Sequence, residues 1–292
     1  MNKKILAAAG TVVGGAIALF VGAEFFASKV AAKEVDKAID SVSEFADIDY
    51  QKVDASLLGG GVKVKGITIA PTGSGEQYRV DEVVVYDYDA TEEDVPAALN
   101  MAINGVALNL ADMGEQGTAL KEFGYSDELS VNFATKYAYK EDEQEVRLEK
   151  FEVGADDVGD LDVSLHLSNV SMDPAAMANM PFALLGMTFH EAEITYDDDS
   201  LVTRMFETAA AAEGVSVEEL KKEAIAGLEA DLASGDDDLS KELVEEMKAF
   251  INNPDGFSIK FSPDEPVTFS QFMETGGDPT ALVNLLNVRF ES

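Results

Sequence analysis

Period-two patterning constrains this chain more than anything else in it. From position 62 onward, apolar and polar residues alternate in one short run after another. In Val62-Lys63-Val64-Lys65, and after Gly66 in Ile67-Thr68-Ile69, every second side chain is apolar. Successive side chains of an extended strand point to opposite faces, so such a run buries one face and wets the other. Residues 78–86 form a second run, entered from the turn-forming stretch 71–75. Leu129, Val131, Phe133, Tyr137 and Tyr139 hold the odd positions of a third, interrupted only by Thr135. Residues 146–153 alternate with a one-residue slip near Glu149 and Lys150, which predicts a bulge. Leu161, Val163, Leu165 and Leu167 make another run, and residues 187–190 with 192–196 make one more. Charged or glycine-containing turns at 140–144 and 156–159 separate them. Strands joined by such short turns predict an antiparallel meander, apolar on one face and wet on the other.

Helical signals frame this sheet. Residues 91–104 read as a helix, with Thr91 and Asp94 as a capping box and Pro96 near the first turn, and residues 105–110 return to strand. Asp197, Asp198, Asp199 and Ser200 offer N-cap oxygens to a helix ending at Gly214. Ser216 and Glu219 form a capping box for a helix to about position 233, and residues 239–252 form a third, stopped at Asn253-Pro254. Strands at 257–261 and 267–269 come next, then a helix opened by Asp278-Pro279 and a last strand at 288–290. The expected fold class is α+β: an antiparallel twisted sheet with a helical section near the carboxy terminus, preceded by an amino-terminal transmembrane helix.

That helix is expected over residues 5–23, which carry no charge and come after Lys3 and Lys4. Nineteen residues at about 1.5 Å each span roughly 28 Å, close to the hydrocarbon thickness of a bilayer. Basic residues before the run and an acidic chain after it place the start in the cytoplasm. Val21-Gly22-Ala23 also has the small-residue form of a signal-peptide cleavage site, and either reading exports the rest of the chain. The retained anchor is favoured by the length of the run and by helical spacing that continues through Phe26, Val30, Val35, Ile39 and Val42. Gly10, Gly14, Ala18 and Gly22 recur every fourth residue and form a ridge on which another membrane helix can pack closely.

Charge narrows the partners. The chain has 56 Asp and Glu against 21 Lys and Arg, a net of −35. Setting aside the four lysines and one glutamate of the first 33 residues leaves 17 basic and 55 acidic residues, a net of −38. Such a surface repels nucleic acid, and 46% apolar content is too high for a disordered chain. Without cysteine there is no disulfide, thiolate metal site or cysteine nucleophile.

Few residues suggest chemistry. Gly59-Gly60-Gly61 lacks the Lys-Ser/Thr of a phosphate loop and reads as a turn. His166 and His190, the only histidines, both fall on polar positions of strands, so pairing of those strands would make them neighbours. A metal or acid–base pair is conceivable there, with surface histidines the plainer reading. Asp87 with Asp89, 197–199 and 236–238 are acidic clusters without EF-hand spacing. No GxSxG or SxxK nucleophile motif occurs, and no cofactor is implied. Asn169-Val170-Ser171 fits the glycosylation tripeptide. Met177, Met180, Phe182, Leu184, Leu185 and Met187 form an apolar cluster that reads as core.

Two segments carry a family resemblance. Tyr50-Gln51-Lys52-Val53-Asp54-Ala55, running through Gly59-Gly60-Gly61 into the strand at 62–69, is one; Gly186 through Arg204, a strand into a helix opening with Ser200-Leu201, is the other. With the Lys-led anchor, this layout resembles the YdgA-like bacterial envelope proteins of unknown function and, more distantly, the AsmA-like proteins implicated in lipid traffic. The chain is much shorter than an AsmA-like protein and has no long repeated sheet, so a lipid bridge is not implied. The resemblance implies no catalytic residues. The expectation is a single-pass protein of the bacterial inner membrane, with residues 1–46 as anchor and linker helix and 47–292 as an acidic periplasmic domain. It is expected to be non-enzymatic. It would bind a lipid or other apolar ligand, or serve as a structural or assembly factor contacting its own copies or an envelope partner.

Overall fold

The computed structural model describes residues 31–55, 61–73, 75, 77–89, 96–171, 186–232 and 238–292. The expected membrane segment, with Gly10, Gly14, Ala18 and Gly22, and residues 172–185 of the apolar cluster lie outside these. Among the described residues no helix is long and apolar enough to cross a membrane. The fold is α+β, a mostly antiparallel open sheet with several helices. The chain divides into two compact units, the first comprising Met1–Ala138 with Phe151–Asp156 and the second Tyr139–Lys150 with Asp157–Ser292.

The first unit opens with helix α1, Ala31–Val42, then the short strands β1, Ala46–Asp49, and β2, Lys52–Ala55. Val35 of α1 is buried, and the Tyr50 hydroxyl donates to Asp36 Oδ1 at 2.6 Å, tying the helix to the turn between the strands. That bond, with the carboxylate's charge, pushes the Tyr50 hydroxyl up to about 12. Both strands pair antiparallel with β3, Val62–Pro71, which pairs in turn with β4, Tyr78–Asp89. Strand β5, Ala98–Asn109, continues the ladder to β6, Glu128–Lys140. Helix α2, Glu115–Glu122, fills the β5–β6 connection. Glu82 lies 3.1 Å from Lys63 and 3.3 Å from Lys65; burial raises its carboxyl, but the two ammonium groups win and hold it below the usual range.

The centre of this unit is buried on both faces. Val83, Val84 and Val85 are 0%, 1% and 1% exposed, in register with Ile103, Ala102 and Met101, which are also buried. Consecutive residues of a strand face opposite ways, so the sheet has no wet side here. This corrects the expectation of one wet face throughout. It also explains why the helix expected over 91–104 is wrong at its carboxy end. Alanine, leucine and methionine favour helix, but pairing to strands on both edges and burial on both faces outweigh a propensity worth tenths of a kcal/mol per residue. Residues 91–95 lie outside the described residues.

The second unit holds the first half of β7, Glu145–Ala155, then β8, Gly159–Ser168, and β9, Thr188–Asp198. Helix α3, Leu201–Glu213, is capped by Asp198 Oδ1, which accepts from the Val202 amide at 3.0 Å, and it ends at Gly214 in the left-handed conformation. Helices α4, Val217–Leu232, and α5, Asp238–Asn252, come after it. Strand β10, Gly256–Phe261, pairs with β9, and β11, Val267–Thr268, pairs with the start of β9. Helices α6, Phe269–Glu274, and α7, Pro279–Leu286, lead to β12, Val288–Glu291, on the far side of β10. Phe250 of α5 packs edge-on to Phe257 at 5.3 Å, and Phe257 stacks on Phe290. The apolar positions of β8 to β10 are less covered than those of the first unit: Val163, Leu165, Ile194 and Ile259 are all only half-buried.

Bulges interrupt three of the strand pairings. The exposed phase of β7 runs unbroken through Arg147, Glu149 and Phe151, which leaves Phe151 46% exposed. Register shifts fall at Val85/Asp87, Ile103/Val106 and His166/Leu167. At the second, Gly105 adopts φ +68° and its amide donates to Asn132 Oδ1 at 3.0 Å. A Cβ at this position would overlap the Asp81 side chain. Gly105→Ala therefore adds both backbone strain and a clash, and should lower unfolding free energy by about 1–3 kcal/mol in urea titrations. An unchanged midpoint would contradict this account of the bulge.

Candidate functional site

A dense group of titratable side chains sits on the polar face of the second unit, where β7, β8 and β9 run side by side. In β8 the even positions Asp162, Ser164, His166 and Ser168 oppose the apolar odd ones. Strand β9 would place His190 out of phase with this face, but the register shift beside His166 leaves His190 as an extra residue between Phe189 and Glu191. Both residues at the bulge reach the same neighbour. The His190 ring stacks on His166 with centroids 4.1 Å apart and planes 16° from parallel, and Glu191 Oε1 lies 4.0 Å from His166 Nδ1.

Hydrogen bonding fixes the pair. Ser168 Oγ lies 2.7 Å from His190 Nε2. His166 Nε2 lies 3.0 Å from Glu145 Oε1 of β7, yet it is buried and makes no aligned hydrogen bond. Glu145 is bound at 2.6 Å by Arg147 Nε. The Arg147 bond holds the Glu145 carboxyl far down, at about 2, against the effect of desolvation. Burial, then the neighbouring His166, pushes His190 below the ordinary histidine value of 6.5, more than the carboxylates raise it. His190 is therefore neutral at pH 7, and its Nε2 is available to accept the Ser168 hydroxyl proton.

The structure thus brings together the two histidines that the sequence marks as prospective neighbours. It adds Glu145, Arg147, Ser168 and Glu191, which no sequence motif singles out. The available signal is the phase break between Phe189 and Ala192, which marks a bulge, and bulges re-aim side chains. Among the described residues no group of three or more His, Asp or Glu could hold a metal ion. Asp198 is engaged by the Tyr196 hydroxyl at 2.6 Å and by the α3 cap, so helix capping accounts for the middle of the 197–199 cluster. Asp87 accepts from the Tyr88 amide, and 236–237 lie outside the described residues. Asn169 is left-handed at φ 57°, and its side-chain Nδ2 donates to Thr188 Oγ1 at 2.9 Å. Gly61, the last glycine of the expected turn at 59–61, has φ +69°.

A family model described as "Uncharacterized protein" matches residues 152–292, a stretch that contains His166, Ser168 and His190 but begins after Glu145 and Arg147. Its description names neither the YdgA-like nor the AsmA-like group. No curated protein matches the chain.

The site gives stability a defined pH dependence. Below the ordinary value of 6.5, His190 takes up a proton in the unfolded chain before it does in the folded one. The unfolded state then binds more protons, so stability falls as pH drops below 6.5. Glu145 acts in the same direction lower down: from its ordinary 4.5 towards about 2 the unfolded chain protonates and the folded one does not. Urea midpoints should be level between pH 7 and pH 8, decline below 6.5 and decline more steeply below 4.5. A midpoint that rises as pH falls from 7 to 5 would contradict this assignment.

Proposed function

We propose that this chain is a membrane-anchored, non-enzymatic protein of the bacterial envelope whose extracytoplasmic part binds a lipid or another apolar ligand. The anchor reading is supported by the uncharged residues 5–23 behind Lys3 and Lys4, with α1 beginning shortly after that run. The acidic surface supports a part that stands clear of anionic headgroups, which would repel it. The resemblance in layout to YdgA-like proteins fits the same location.

The observation that carries the ligand reading is the incomplete cover of the second unit's sheet. Val163, Leu165, Leu167, Ile194 and Ile259 are apolar, and none is buried. In the first unit, Val64, Ile67, Ile69 and Val80 are each at most 1% exposed. Covering what remains exposed of each such side chain contributes a fraction of the roughly 1.5–3 kcal/mol of full burial. Several side by side make a surface that an acyl chain or similar apolar group would stabilise. The full chain, isolated from membranes in mild detergent and extracted for mass spectrometry, should yield a co-purifying lipid in near-stoichiometric amount. Recovery of the chain in the soluble fraction, or a clean apo protein, would contradict the reading.

The spacing of Gly10, Gly14, Ala18 and Gly22 favours a second reading, an assembly factor that pairs through its membrane helix. Under it, the double change Gly14→Ile and Ala18→Ile should reduce crosslinked dimer in native membranes several-fold. Undiminished crosslinking would remove that reading and leave the ligand reading untouched.

A further inference from the structure

We propose that the His166–His190 stack is a proton-operated joint in the β8–β9 ladder, closed while at least one ring is neutral and loosened when both are charged. The proposal concerns the second unit alone and does not depend on the membrane or ligand reading.

The geometry distinguishes the first proton from the second. Glu145 of β7 lies 3.0 Å from His166 Nε2, and Glu191 of β9 lies 4.0 Å from His166 Nδ1. A single positive charge on the pair therefore meets a carboxylate on either side. A second charge has no such reception. Glu145 and Glu191 already face the first charge, the Arg147 cation adds to the repulsion, and Glu191 is 64% exposed and screened by solvent. Two imidazolium rings would then lie face to face at 4.1 Å in a half-buried place. Ser168, from β8, donates to neutral His190 and accepts from the charged form, so the hydrogen bond survives and the repulsion falls on the stack itself. The stack bridges the two strands where the ladder is already broken by the bulge. Separation of the rings is therefore coupled to the bulge and not to a continuous run of backbone bonds. The charged groups acting on His190 are His166 and Arg147, which with burial favour its neutral form, and Glu145 and Glu191, which oppose it.

The chain's two histidines make the test direct, because histidine-labelled full-length protein shows only two imidazoles by NMR. Titrated from pH 8 to pH 4 in detergent micelles, the rings should protonate in two steps separated by about one pH unit or more. Backbone amide signals of residues 164–168 and 188–193 should broaden in the lower step only. A single shared step, or strand signals unmoved through the lower step, would overturn the proposal. His190→Gln keeps a hydrogen-bonding group beside Ser168 but removes the second charge, so the lower step and its broadening should both vanish. Broadening that persists in this variant would also overturn the proposal. If the variant fails to fold, the wild-type titration still decides.

Discussion

The structure depends first on the block where Val83, Val84 and Val85 lie in register with Ile103, Ala102 and Met101. These six apolar side chains are buried on both sides of one sheet. Fully burying each valine, isoleucine or methionine contributes about 1.5–3 kcal/mol, and the backbone groups beneath are paired on both edges. Strand β3 adds Val64, Ile67 and Ile69 beside it, and β6 adds Leu129 and Val131 on the other edge. The second unit has the same strand chemistry without that double burial. Its order comes from aromatic contacts around Phe257 and from capped helices.

Charge is organised to fit this frame. With so few cations in the chain, two lysines each serve two carboxylates. Lys260 lies 3.5 Å from Glu193 and 3.1 Å from Glu291, and Lys248 lies 2.6 Å from Glu229 and 2.8 Å from Glu245. These pairs are largely exposed and individually worth little. Their effect is to relieve local repulsion on a surface with a large negative excess, which otherwise opposes compaction.

Most of the fold was legible because period two and capping chemistry are local properties. The alternating runs at 62–69, 129–139 and 161–168 are strands, and Ser216 caps α4 through the Glu219 amide as its spacing predicts. Asp278-Pro279 opens α7, with the Asp278 carboxylate accepting from the Thr280 amide. The features that were not legible depend on neighbours. Strand β5 looks helical until β4 and β6 flank it, and Phe151, at an apolar position of the alternating run, is exposed. The short strands β1 and β2 and the helices α2 and α6 carry patterns too brief to separate from turn. The site shows the same division. Two histidines on polar strand positions could be read from the sequence, whereas Glu145, Ser168 and Glu191 join them only through strand register, which one chain does not display.

Order is concentrated in the doubly buried β3–β5 ladder, and the half-covered β8–β10 sheet is held more loosely. Hydrogen exchange of the full chain under native conditions measures this strand by strand. The slowest amides should be those of Val64, Ile67, Val83, Val84, Ala102 and Ile103, with the paired amides of β8, β9 and β10 exchanging at least about tenfold faster, equivalent to roughly 1.4 kcal/mol. Equal protection in the two ladders, or slower exchange in β8–β10, would contradict it.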